Sequence, residues 1–320
     1  MSYTIVKTDG DGRPTDVERE CIAAMGGLLE EHDCRTPDQV RAVSAEADAL
    51  LVLVAPITAD VIRDMTKCRV IARYGIGVDN VDVTAAAQAG IWVTNVPDFC
   101  VEEASDHTLA LVLALSRRLL TLDKSVRSGT WNTGIVAGNP PSVLRGKVLG
   151  LVGFGSIARL VAKKASALGM SVKAFDPHLP EETFVEVARA SLEEIVGTAD
   201  VLSLHLPLND ETRHIISGPL FSIMKPGVLI INTARGGVLR EADLVSAMNQ
   251  DIVGGFATDV MELEPPDLSN PLLQFDNTIF TPHLAWCSPE SMDYVAHQVC
   301  ENVAAALRGE RPQNAVADIE

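Results

Sequence analysis

Short, almost wholly apolar blocks punctuate the first third of the chain, at residues 3–7, 49–54, 70–73 and 91–94. Their length and branched side chains suit strands buried on both faces, as in a parallel sheet. The intervening stretches carry helical spacing. Residues 15–25 follow Pro14 and open with acids, a second helix starts at Thr58, and residues 81–89 end at Gly90, a natural C-cap. This rhythm predicts one small doubly wound unit. The pattern then changes. Residues 102–126 are apolar nearly all round in the middle, with acids at the start and bases near the end, which predicts one long buried helix. The following segment, GTWNTGIVAGNPPSVLRG, reads as loop, so a domain boundary is expected near residue 100.

From Lys147 a second strand-and-helix unit begins. Strands are expected at 148–152, 171–175, 201–204, 228–232, 254–258 and 278–280, with helices between them. A last helical stretch at 290–307 lies beyond this sheet, and periodicity alone leaves open whether it returns to the first unit.

The 320 residues are 47% apolar, 22% charged and only 4% aromatic, enough for two cores packed mainly by aliphatic side chains. A formal charge of −17 repels phosphate backbones at long range and argues against nucleic-acid binding. It does not argue against a dinucleotide, because a helix N-terminus binds pyrophosphate locally. The apolar runs TLALVLALS and VLGLVG fall far short of a membrane span. No apolar leader is expected in MSYTIVKTDGDGRP. The six cysteines form no C-x-x-C pair, which suits buried packing in a reducing cytoplasm, and no clustered ligands suggest a metal.

The sharpest local motif is VLGLVGFGSIARLVAKKASALGMSVKAFD. A buried strand runs into Gly153-Phe154-Gly155-Ser156-Ile157-Ala158, a G-x-G-x-x-A dinucleotide fingerprint. Gly153 allows the turn, Gly155 lets backbone approach the pyrophosphate, and Ala158 keeps helix close to strand. Asp176 closes the next strand, where an acid accepts from a ribose diol and repels a 2′-phosphate, so NAD is favoured over NADP. A glycine turn in a sheet that binds no nucleotide is the plainer alternative.

Hydride transfer to a 2-keto acid needs a cation for the carboxylate, a proton donor at the keto oxygen and a nicotinamide held beside C2. Arg235, in INTARGG after an apolar strand, can grip a carboxylate with its planar fork. His283, in TPHLAW, can exchange a proton near neutral pH. Glu264, before Pro265, can pair with that imidazole. Taken singly, each is equally read as a strand cap, a structural histidine and a solvated loop acid. All three sit at successive strand ends of the same expected sheet.

Together RYGIGVDNVD, VEEASDHTLALVLALSRR, GLVGFGSIA, HLPLNDETRHII, MKPGVLIINTARGG, FATDVMELEP and TPHLAW resemble the D-isomer-specific 2-hydroxyacid dehydrogenases, over nearly the whole chain. The resemblance implies two doubly wound parallel-sheet α/β domains about a cleft. A flavodoxin-like substrate domain would combine residues 1–99 and 288–320, and a Rossmann-type NAD domain residues 100–287. It also implies a catalytic set of Arg235 for the carboxylate and keto group, His283 as proton donor or acceptor, and Glu264 as its partner. Backbone N–H groups of Ile76 and Gly77 would hold the carboxylate. Ser156 and Ile157 would lie at the pyrophosphate, Asp176 at the adenosine ribose, Leu206 and Pro207 near the adenine, and Thr212 near the pyrophosphate. Thr233, Ala234 and Arg235 would lie on the nicotinamide ribose side, Asp259 at the carboxamide, and His283 beside the ring. The long helix and following arm would build a homodimer, and no added regulatory domain is expected.

Trp286, in the H-x-A-W form, resembles the C-terminal-binding-protein branch. There it would wall an apolar substrate pocket, with Tyr74 as a further wall; packing at the domain junction is the alternative. The strand at 50–56 offers no arginine for a substrate phosphate, which favours an unphosphorylated 2-keto acid. The rival reading is an NAD(H)-sensing protein-interaction module.

Overall fold

The computed structural model describes residues 3–10, 12, 14–132, 134 and 140–319. The chain forms two compact units, one from residues 1–99 and 287–320 and the other from residues 100–286.

The first unit holds a five-stranded, wholly parallel sheet. Its strands are β1 (Tyr3–Lys7), β2 (Gly27–Glu31), β3 (Ala49–Val52), β4 (Val70–Arg73) and β5 (Trp92–Thr94), in the order β2-β1-β3-β4-β5. That is the flavodoxin-like order, whose ligands lie beyond the carboxyl ends of the strands. Every side chain of β3 is buried, as its unbroken ALLV run requires. Helices α1 (Asp16–Ala24), α2 (Pro37–Ser44), α3 (Ala59–Arg63) and α4 (Val83–Gln88) connect the strands. Strand β2 escapes the hydrophobic pattern because it is an edge strand with one neighbour, and it leaves Leu28 exposed.

The second unit begins with α5 (Val101–Ser116) and α6 (Leu119–Arg127). The expected single helix over 102–126 is therefore two. Arg118 takes a left-handed φ of 55° between them. No glycine or proline marks this break. Its cause is a change of environment: α5 buries Leu109, Leu111, Val112 and Leu115, whereas α6 buries no residue. Residues 133 and 135–139, within the segment expected to be loop, lie outside the described residues.

The strands of this unit are β6 (Val148–Val152), β7 (Ser171–Phe175), β8 (Ala188–Arg189), β9 (Val201–Leu204), β10 (Val228–Asn232), β11 (Val253–Thr258) and β12 (Thr278–Phe280). They form one parallel sheet in the order β12-β11-β10-β9-β6-β7-β8, the Rossmann order extended by one strand. The two-residue edge strand β8 is too short and too exposed to register as an apolar block. Helices α7 (Ser156–Ala167), α8 (Leu192–Thr198), α9 (Gly218–Phe221) and α10 (Glu241–Asn249) complete the layers.

The final helix, α11 (Pro289–Leu307), packs against the first sheet. Ser288 and Ser291 form a reciprocal capping box, with Pro289 at the first turn. Val295, Val299 and Val303 join Ile5, Leu51 and Val70 in one buried cluster. Among the described residues no helix is long and apolar enough to cross a membrane.

Candidate active site

Strand order explains why the chemistry-bearing residues of the second unit gather. Strands β10, β11 and β12 are neighbours and run parallel, so their carboxyl ends open on one edge. Arg235 follows β10, Asp259 and Glu264 follow β11, and His283 follows β12.

The Arg235 turn is fixed by Asn232. Its side-chain oxygen accepts from the Ala234 N–H at 3.1 Å, and its amide donates to the Arg235 carbonyl at 2.9 Å. Arg235 itself is half-buried and donates to the Ala234 carbonyl at 2.8 Å. The Thr233 hydroxyl meets that of Thr108 on α5 at 2.8 Å.

His283 adopts a left-handed φ of 57°, a strained conformation for a residue with a Cβ. Backbone bonds hold it there, because its N–H reaches the Asp259 carbonyl at 2.8 Å. Asp259 is itself buried. It accepts from the Thr281 hydroxyl at 2.6 Å and from the N–H groups of Leu284 at 3.0 Å and Ala285 at 2.7 Å. Thr281 also meets the ring of His107 at 2.9 Å. Asn232, His107 and Thr281 are thus supports that motif reading missed, although INTARGG, SDHT and TPH carry them.

The Nδ1 of His283 lies 2.7 Å from Glu264 Oε2. The other Glu264 oxygen accepts from the Met261 N–H at 3.0 Å. Burial pushes the Glu264 carboxyl up, but the His283 hydrogen bond and charge, the Met261 N–H and Arg235 together hold it below the usual glutamate range. With Nδ1 engaged by a carboxylate, Nε2 is the ring nitrogen left for a reacting group. His205, after β9, differs: burial pushes it down to about 4, so it is neutral near pH 7. Its Nε2 meets the Ser203 hydroxyl at 2.9 Å.

The glycine turn lies after β6 of the same sheet. Gly153 has φ 92°, and a Cβ there would press on the His205 carbonyl at 2.6 Å, so both conformation and space require glycine. Gly155 has an ordinary φ of −69°, and a Cβ there would meet nothing within 4 Å. Neither strain nor protein packing calls for glycine at this position. Open space before the exposed N-terminus of α7, with Ser156 and Ile157 in its first turn, is what a pyrophosphate cradle needs. The Asp176 carboxylate braces this loop, accepting from the Phe154 N–H at 3.0 Å and the His178 N–H at 3.1 Å. Leu206 is buried beneath the turn and Pro207 is exposed beside it. The Thr212 hydroxyl donates to the Pro207 carbonyl at 2.6 Å, so it shapes that turn. Trp286 is half-buried and donates its Nε1–H to the His283 carbonyl at 2.9 Å. Among the described residues no group of three or more His, Cys, Asp or Glu side chains is arranged to hold a metal.

In the first unit Ile76 and Gly77 occupy the turn after β4. Asn95 fixes that turn by donating to the Ile76 carbonyl at 2.7 Å. Tyr74 does not match its expected place as a pocket wall. It is 2% exposed, and its hydroxyl donates to buried Glu18 at 2.9 Å, because the β4 end carries it into the core.

A family model described as the NAD-binding domain of D-isomer-specific 2-hydroxyacid dehydrogenases matches residues 109–285. A D-3-phosphoglycerate dehydrogenase of Mycobacterium tuberculosis is 37% identical over 92% of this chain and 56% of its own length. The chain therefore spans little more than half of that relative. A glyoxylate reductase of Korarchaeum cryptofilum is 37% identical over 85% of this chain and 83% of its own. The crystal structure of a D-lactate dehydrogenase from Aquifex aeolicus, complexed with NAD and lactic acid, superposes with a TM-score of 0.86 at 26% identity, over 96% of both chains. With the parallel Rossmann sheet, the open glycine turn and these matches together, the chain belongs to the D-isomer-specific 2-hydroxyacid dehydrogenase family and carries its NAD-binding domain.

Proposed function

We propose that this protein is an NAD-dependent oxidoreductase that reduces a small 2-keto acid to the D-2-hydroxy acid, or runs the reverse reaction. The observation that carries the reading is the 2.7 Å contact between His283 Nδ1 and Glu264, held at the strand edge that also presents Arg235.

In this reading bound NADH supplies the hydride, cradled by Gly153, Gly155, Ser156 and Ile157, with Asp176 on the adenosine ribose. Leu206, Pro207 and Thr212 form the adenine and pyrophosphate side, Thr233 and Ala234 the nicotinamide ribose side, and Asp259 the carboxamide contact. Arg235 binds the substrate carboxylate, a role the resemblance also gives to the backbone of Ile76 and Gly77. His283 delivers its Nε2 proton to the keto oxygen, and Glu264 stabilises the imidazolium before transfer. In the oxidation direction His283 takes that proton back.

An unphosphorylated substrate fits best. Leu53 and Val54 follow β3 where a cation would be needed, and the Arg73 guanidinium donates to the Tyr74 carbonyl at 2.7 Å. Trp286, held close to His283 by its hydrogen bond to the His283 carbonyl, suits a small or apolar side chain at C3. Glyoxylate, hydroxypyruvate and longer keto acids are the candidates. A homodimer built on α5 and its following arm, and a cytoplasmic location, complete the reading. The H-x-A-W form supports one second reading, an NAD(H)-sensing interaction module.

The test follows NADH absorbance with purified protein against glyoxylate, hydroxypyruvate, phosphohydroxypyruvate, pyruvate and branched or aromatic keto acids. Saturable oxidation with an unphosphorylated acid is expected. Silence across the panel in protein that binds NADH would instead favour the sensing module.

A further inference from the structure

His214, in the segment DETRHII, has no role in the proposed reaction, yet two bonds tie it to the loops of the site. Its backbone N–H donates to the Gly237 carbonyl at 2.8 Å, immediately after the Arg235 turn. Its Nε2 lies 2.7 Å from Glu262 Oε1. Glu262 in turn donates its backbone N–H to Glu241 Oε1 at 2.7 Å, and Asn270 donates to the other Glu241 oxygen at 2.7 Å. Glu262 is thereby held at its side chain by His214 and at its backbone N–H by Glu241. Gly236 packs so tightly on the Met261–Glu262 peptide that a Cβ would overlap the Met261 carbonyl and the Glu262 nitrogen. The N–H of the same Met261, in the preceding peptide, holds Glu264 Oε1. His214 keeps these contacts at φ 53°, a conformation suited to glycine.

We propose that the His214–Glu262 pair is a clip that positions the acid–base machinery, fixing Glu262 and its neighbour Met261, and through the Met261 N–H Glu264, against the Arg235 turn. The inference rests on the roles given above to Arg235, Glu264 and His283. His214 touches none of the reacting atoms and acts as a positioning residue.

Three variants test it: His214→Gly, which suits the backbone conformation but removes the side chain, His214→Gln, which keeps a donor in reach of Glu262, and Glu262→Gln. Glu264 faces the imidazole of His283 and the guanidinium of Arg235 as well as the Met261 N–H. Loosening the last of these moves its titration upward. His214→Gly is expected to lower kcat by about tenfold, with KM for NADH changed by less than about twofold. The acid limb of kcat/KM moves to higher pH. In protein without NADH, the Glu264 side-chain carbon, followed by ¹³C NMR, titrates at higher pH than in the wild type. His214→Gln restores most of both effects, and Glu262→Gln falls between the two. An unmoved Glu264 titration in His214→Gly overturns the clip, as does equal impairment in His214→Gln, which would reduce His214 to a packing role. If the wild type oxidises NADH with no keto acid, the functional reading fails, while the NMR titration still decides the clip.

Discussion

The first unit buries Lys7, Asp9 and Glu18, whereas the second leaves Arg235, Glu264 and His283 half-buried or exposed beyond its strand ends. Both sheets are parallel, and in open parallel sheets ligands bind beyond the carboxyl strand ends. They differ in what the side chains hold. The Asp9 carboxylate accepts from the Thr8 hydroxyl at 2.8 Å and from the N–H groups of Leu53, Val54 and Ala55 at 3.1, 2.6 and 3.0 Å. Asn80 donates to the Ala55 carbonyl at 2.8 Å, and Asn95 to that of Ile76 at 2.7 Å. In this unit side chains staple loop backbone, which suits a surface that works through main-chain amides. In the second unit Asn232 and Asp259 also staple loop backbone, but there the stapled loops carry charged side chains, Arg235 and His283, and the Met261 N–H holds the Glu264 carboxylate directly. A site built from charged side chains needs that added support, because a displacement of about 1 Å costs about a hundredfold in rate.

The sharpest way to separate the two kinds of region is at the cation. Arg235→Met keeps the stem and removes the fork. Steady-state kinetics should show kcat/KM for the keto acid falling by about a thousandfold, with thermal stability near that of the wild type. Loss of stability without loss of turnover would place Arg235 with the scaffold. Next comes the glycine turn. Gly155→Val projects into open space in the protein alone, so the fold should persist while the Kd for NADH, from fluorescence titration, rises by about tenfold or more. Unchanged NADH affinity would remove the turn from the cofactor cradle.

Asp9→Asn addresses the other sheet. It places an amide donor against backbone donors and should cost about 2 kcal/mol, seen as a fall of about 5 °C in Tm. KM for the keto acid should change more than kcat, since Asp9 shapes loop backbone. The smallest effect concerns pH. Glu264 is held below the usual glutamate range, so its contribution to stability is present above that range and is lost as pH falls through its folded value. The Tm gap between the wild type and Glu264→Gln should therefore narrow on acidification. A gap that widens toward low pH would reverse the sign of the His283–Glu264 interaction.

Much of this was readable from residue order. Strands buried on both faces announce themselves as unbroken apolar runs, which is why β3, β6, β9 and β10 appear where the pattern puts them. The edge strands β2 and β8 carry no such signal, because one flank of each meets solvent. The α5–α6 break was hidden for a related reason: periodicity reports which residues are apolar and not where a neighbouring layer ends. Within the site, Arg235, Glu264 and His283 were visible as motif residues at consecutive strand ends. Their supports were not. Asn232, His107 and His214 act through contacts across 3 to 174 residues of sequence, and spacing carries no information on such pairs.

The most direct test compares NADH oxidation by the wild type and His283→Ala on the keto acid the wild type accepts, with NADH binding measured on the same preparations. The account predicts a fall in kcat of about a hundredfold to ten-thousandfold, with the Kd for NADH nearly unchanged. Equal turnover by the two proteins would contradict it, and the proton would then have to come from a group other than His283.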